Sequence, residues 1–226
     1  LTLNTTYYPR VYAVNQNGVP TPAAVIPGTA TLVTEPLAAQ PSGIGTSSVT
    51  ANWSGNSPGT MHTVQISTDG FLTWNVSSAT RNSYAAFANL FANTAYYFQV
   101  RATGHNGAST AWAALPSTRT LLAMPGQAGT AFPSVGVSSA AVQWTDGGNA
   151  PGTQYLCQVS TDNFGTLNLS STTSGTSAWF GTGGEGPALR ANTTHYLRVR
   201  AANGGAGTAW TLLGSTVTLA YSPGLS

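Results

Sequence analysis

Apolar and polar residues alternate over several short runs of the chain. "VTANW" ends at Trp53, "HTVQIS" starts at His62, "YYFQVRA" starts at Tyr96 and "YLCQVS" starts at Tyr155. Each places β-branched or aromatic side chains at every second position, the period of a strand with one face buried. Between them stand turn-forming clusters such as "STDG" from Ser67, "GHNG" from Gly104 and "DGGNAPG" from Asp146. No stretch combines a helical period with helix caps. The pattern predicts an all-β chain built as antiparallel β-sandwiches.

The pattern also repeats. Asn4-Thr5-Thr6-Tyr7 aligns with Asn93-Thr94-Ala95-Tyr96 and with Asn192-Thr193-Thr194-His195. Downstream, "GTATLVTEP", "STRTLLAMP" and "STVTLAYSP" place Pro36, Pro125 and Pro223 at equivalent points. Upstream, "SSVTANW" matches "SSAAVQW", ending at Trp144, and "VQISTDGF" from Val64 matches "CQVSTDNF" from Cys157. Units of about ninety residues emerge.

Leu90, Tyr96, Phe98, Val100 and Ala102 are spaced in a way that resembles the strand F signature of fibronectin type III modules. Trp53 and Trp144 are similar to that family's strand B tryptophan, and Tyr155, Cys157 and Val159 to its inward strand C positions. The resemblance implies tandem fibronectin type III (immunoglobulin-like) β-sandwiches. On that frame, residues 1–34 are the C-terminal part (strands F and G) of a truncated module. Residues 35–123 and 124–222 are full modules, and 223–226 start a further module or a linker. An isolated two-stranded hairpin is marginal in water, so the expectation is a window on a longer tandem array. The rival is a half-module completed by strands from a neighbouring chain.

Alternation along strand F sends Phe98, Val100 and Ala102 inward and Gln99 and Arg101 outward. Tyr7 and Tyr96 fit a tyrosine corner, in which the ring packs inside and the hydroxyl bonds to upstream backbone. His195 takes the place of this tyrosine in the third copy. It reads as a corner histidine, with a metal ligand or catalytic base as the sharper alternative. Pro9 lacks an N–H and suits a strand end or edge.

Composition changes the picture in one respect. Charged residues are 5% of the 226-residue chain, where roughly 25% is usual. All seven basic residues are arginine, and the net charge is +2. So slight a charge argues against a nucleic-acid surface. No apolar run is long enough for a membrane span. The single Cys157 excludes an intrachain disulfide and, on an inward face, reads as an inert apolar residue.

Catalytic chemistry is thin. Asp69 and Asp162 occupy the same "STD" turn in successive modules, which favours a turn role over general acid–base work. His62 and Asp69 with nearby serines do not make a triad on spacing alone. "GTGGEGP" from Gly181 lacks the Lys-Ser/Thr of a phosphate loop, and its Glu185 alone is a poor calcium site. No catalytic, cofactor-binding or metal-ligating residue is assigned. Trp74, Trp112, Trp179 and Trp210 lie in the later strands. For Trp112 and Trp210 core packing is the first reading. The second is a surface cation–π ladder with Arg101, Arg198 and Arg200, and the third is a glycan contact. Sequons stand at Asn4, Asn52, Asn75, Asn168 and Asn192.

The leading expectation is a non-catalytic segment of an extracellular or cell-surface array, similar to the fibronectin type III repeats of bacterial surface proteins. It would form a filament, stalk or adhesive layer whose partners are copies of itself. The alternative is a spacer or polysaccharide-binding module of a secreted enzyme. The linkers "TLVTEP" and "TLLAMP" are short and end in proline, which leaves little slack. The missing edge lysines remove one guard against strand addition.

Overall fold

The computed structural model describes residues 1–73, 76–166, 169–203 and 206–223. Every regular element among them is a strand. The chain divides into two compact units, Leu1–Asn89 with Ala95–Arg119, and Leu90–Thr94 with Thr120–Ser226.

The first unit opens with a broken hairpin. β1 (Thr6–Tyr7) pairs with β4 (Thr29–Ala30), and β2 (Arg10–Val11) pairs with β3 (Ala24–Val25). Tyr8 and Pro9 separate β1 from β2, and the Pro9 carbonyl accepts from the Ile26 N–H. A residue without an N–H thus sits where the ladder is interrupted.

After Pro36 a complete sandwich follows. β5 (Leu37–Ser42), β6 (Val49–Ser54) and β9 (Tyr84–Phe87) form one sheet in the order β5-β6-β9. β7 (Met61–Ser67), β8 (Val76–Thr80), β10 (Ala95–Thr103) and β11 (Ala113–Arg119) form the other, in the order β11-β10-β7-β8. The two inner faces supply the core. Val49, Ala51 and Trp53 come from β6, Val64 and Ile66 from β7, and Phe98, Val100 and Ala102 from β10. These are the alternate positions read from the sequence, and each is buried to within a few per cent of its surface.

The second unit repeats the plan. β12 (Gly126–Gln127) and β13 (Ser134–Val135) both pair with β14 (Ser139–Thr145). β15 (Gln154–Ser160) lies between β16 (Leu169–Thr173) and β18 (Thr194–Asn203). β17 (Ser177–Gly181) pairs with β14, and β19 (Ala206–Gly207) and β20 (Thr211–Val217) pair with β18. Val142, Trp144, Tyr155, Cys157, Val159, Phe180, Leu197 and Val199 fill its core. Gly181 is obligatory: with φ at +86°, an added Cβ would lie 2.1 Å from the Ser138 carbonyl oxygen.

Both sandwiches are all-β and immunoglobulin-like, with three-stranded and four-stranded sheets facing each other in the first.

Candidate functional site

In each unit a network of polar bonds forms where a linker meets the turn after a tryptophan strand. That turn reads "GNSPGT" at residues 55–60 and "GNAPGT" at 148–153. Proline fixes the first corner, and Gly59 and Gly152 take positive φ at the second (83° and 85°). The Thr60 N–H returns to the Ser57 carbonyl and the Thr153 N–H to the Ala150 carbonyl, both at 3.2 Å. This is a type II turn, and its sequence dictates it.

The turn's asparagine grips the linker. Asn56 Oδ1 accepts from the Thr34 N–H (2.8 Å), while its Nδ2 donates to the Thr34 carbonyl (2.8 Å). Asn149 does the same to Ala123, at 2.9 and 2.8 Å, and also donates to the Asp146 carbonyl at 2.6 Å. A primary amide offers a donor and an acceptor side by side, so it can pair with both polar groups of one extended residue. The linker runs close to the turn here. A Cβ on Gly147 would fall 2.3 Å from the Met124 carbonyl oxygen.

The turn's threonine meets a second asparagine, the one that opens each strand F. Asn4 and Asn93 hold left-handed φ of 46° and 52°, a conformation asparagine tolerates better than most residues. Asn4 Nδ2 donates to Thr60 Oγ1 at 2.9 Å, and Asn93 Nδ2 donates to Thr153 Oγ1 at 2.9 Å. Each threonine hydroxyl in turn donates to the carbonyl three residues back. The Asn4 Oδ1 accepts from the His105 N–H at 2.7 Å, and the Asn93 Oδ1 accepts from Asn203 Nδ2 at 3.1 Å. One amide therefore joins two loops at the end of a sandwich. Asn4, Asn93, Thr60, Thr153 and Asn149 are all buried.

Arginine and tryptophan make a second shared arrangement on the outer face of strand F. The Arg101 guanidinium carbon lies 4.7 Å from the Trp112 ring centroid, and Arg200 lies 4.7 Å from Trp210. Arg198 is flanked by Trp210 at 4.2 Å and Phe164 at 4.1 Å. Two hydrogen bonds to Gln158 Oε1, at 2.9 and 2.7 Å, hold it in place. Trp112 and Trp210 are half-buried and stand outside the buried core, so core packing is not their role. Trp53 and Trp144 are the core tryptophans, each 3% exposed. Trp74 lies outside the described residues.

Tyr7 Oη accepts from the Thr2 N–H at 2.7 Å, five residues upstream, and Tyr96 is buried at the equivalent place. His195 is 2% exposed, and its Nε2 lies 3.3 Å from the Arg190 carbonyl, again five residues upstream. It fills the tyrosine's place with the opposite polarity, its ring N–H donating to a carbonyl where the Tyr7 hydroxyl accepts from an N–H. His62 is buried and tilts against Trp53, with ring centroids 5.4 Å apart. Burial pulls its pKa below the ordinary value, and the Thr60 backbone partly opposes this. The Asp69 carboxylate accepts from Ser67 Oγ, the Thr73 N–H and Thr73 Oγ1. Asp162 is bound alike by Ser160 and Thr166. These bonds, led by those from Ser67 and Ser160, hold both carboxyls at about 2. The carboxylates are occupied in closing turns. Burial pushes the Cys157 thiol up to about 12, which leaves it unreactive.

Among the described residues no group of three His, Cys, Asp or Glu side chains gathers to hold a metal. Nor is any helix long and apolar enough to cross a membrane. Of the sequons, Asn4 is buried and Asn52 spends its amide on Gln40, Ser42 and Thr50, so neither presents its nitrogen for a glycan. Asn75 and Asn168 lie outside the described residues.

Reading the sequence as strands and generic turns misses the linker grip. The signal is present: "GN-x-PGT" recurs with five of six positions identical, more than a turn alone requires.

No family model matches the chain, and no curated protein matches it. Among solved structures it is similar to a two fibronectin type III domain segment from chicken tenascin, at 14% identity and a TM-score of 0.55. The match covers 82% of this chain and 100% of that one. At this identity the likeness speaks for the fold alone.

Proposed function

We propose that the chain is a non-catalytic structural segment of a longer extracellular tandem-repeat protein, forming a filament, stalk or adhesive surface layer. One observation carries the reading: the same linker grip is built twice, from Asn56 to Thr34 and from Asn149 to Ala123. These amides, Asn149 buried and Asn56 half-buried, serve the spacing of repeats. The Asp69 and Asp162 carboxylates close turns, and the one thiol is sealed in a core. Scarce charge and the absence of lysine fit a surface that packs against its own copies, with little repulsion to hold them apart. Negative-stain electron microscopy of the purified protein tests this reading. Fibres of regular repeat are expected, and monodisperse particles at high concentration would refute self-assembly.

A second reading is a carbohydrate-contacting spacer of a secreted polysaccharide-active enzyme. It is favoured by Trp179, which is 46% exposed on β17 near Glu185 and Thr173. In that case Trp179→Ala abolishes retention on a polysaccharide affinity gel, and unchanged retention rules the contact out.

A further inference from the structure

We infer that Asn192, together with the backbone of Tyr221, is a preformed receptor for the N-x-P-G-T turn of a further module of this same type. The inference deepens the tandem-array reading and rests on it.

Three asparagines open the three copies of strand F, and their local geometry is the same. Asn4, Asn93 and Asn192 have φ of 46°, 52° and 47°. Each backbone N–H donates to the leucine carbonyl of the following linker: Leu32 at 3.2 Å, Leu121 at 3.1 Å and Leu219 at 3.1 Å. The next residue's N–H donates to a linker threonine: Thr5 to Thr31, Thr94 to Thr120, and Thr193 to Thr218, at 3.0, 3.0 and 3.1 Å. That threonine's hydroxyl then bonds backward to Thr2, Phe91 or Arg190. The backbone knot that aims the amide is therefore complete in all three copies.

The copies differ in what the amide meets. Asn4 and Asn93 are buried and bonded to a turn threonine, whereas Asn192 is exposed and its amide has no partner among the described residues. Tyr221 stands where Thr34 and Ala123 stand, and its backbone is likewise unbonded among the described residues. It is 74% exposed. Ala220 replaces Val33 and Leu122, and the latter packs against the core of its unit. Ala220 is exposed.

The same left-handed φ that carries the Asn4 and Asn93 amides to a turn threonine is held by Asn192 as well. The two filled examples define that partner's chemistry: an asparagine amide for the Tyr221 N–H and carbonyl, and a threonine hydroxyl to accept from Asn192 Nδ2. A donor from the partner's own strand F–G turn completes the set, as His105 N–H and Asn203 Nδ2 do. Both N-x-P-G-T turns of this chain are already engaged, by Asn4 and by Asn93. The occupant is accordingly another module with a free turn.

The test replaces residues 223–226 of the chain by a second copy of residues 125–222, joined directly after Ser222, and follows the product by NMR. The expected result is a shift of the Asn192 side-chain amide resonances and at least a tenfold slowing of Tyr221 amide exchange. Thr→Val and Asn→Ala changes confined to the added turn should return both signals to their values in the unextended chain. If the added module is folded and both signals are unmoved, the receptor assignment is wrong. Should that copy not fold, a copy of residues 36–119, bearing Asn56 and Thr60, takes its place under the same criteria. Fibre formation by the unextended protein is scored separately, so a failed receptor does not count as a failed structural role.

Discussion

Replacing Asn149 by alanine removes the side chain that fastens the linker to the second sandwich. Three hydrogen bonds disappear: Ala123 N–H to Oδ1, and Nδ2 to the carbonyls of Ala123 and Asp146. Asn149 is 4% exposed and Ala123 is half-buried, so water restores these bonds only in part. At about 0.5–1.5 kcal/mol net for each bond, the expected loss is about 3 kcal/mol. Amide exchange read residue by residue is the suitable assay, because it separates the two units where a single melting curve would merge them. A loss of that size speeds exchange of the β18 core amides, such as Val199, by about a hundredfold, since about 1.4 kcal/mol corresponds to a factor of ten. Amides of β10 in the first unit, such as Val100, should not change. Asn149→Asp is a stringent companion. It keeps the shape and the acceptor but turns a carboxylate oxygen on two carbonyls, so it should be at least as damaging as alanine. An acceleration below about threefold in Asn149→Ala, or a harmless Asn149→Asp, would refute the claim that the amide's paired bonding holds the linker.

Two further outcomes follow from the side chains described. Arg198→Gln, which removes contacts to Trp210 and Phe164, should cost about 1–2 kcal/mol by the same exchange assay on β15, with Arg198→Lys intermediate. Asp69 and Asp162 have folded pKa values of about 2, below the ordinary carboxyl value of 3.8. Their contribution to stability is therefore full above roughly pH 4 and is lost as pH falls through about 2. Urea midpoints measured from pH 5 to pH 2 should decline for the native chain and stay flatter for the Asp69→Asn, Asp162→Asn double variant.

Much of the architecture was legible because period-two alternation is a local signal. Alternation places Phe98, Val100 and Ala102 inward, the family resemblance places Tyr155, Cys157 and Val159 inward, and all six are buried. Pro9 was read as a strand end and stands between two short strands. The indole rings of Trp112 and Trp210 were harder. Period alone gives the side of a strand, while their place depends on guanidiniums contributed by the neighbouring strand. The linker grip has no local signature. Asn, Pro and Gly are turn residues anywhere, and the bonds that give Asn149 a purpose reach back 26 residues to Ala123. What sequence spacing cannot express is which distant backbone an amide will face.

Each of the two full repeats carries the turn at its front and a strand-opening asparagine and linker at its back. In both filled joints the two halves come from different copies. Recombination that inserts or removes a whole unit would rejoin matching halves wherever it occurred. A lineage could alter the length of such a protein by unequal crossing-over without redesigning a single joint.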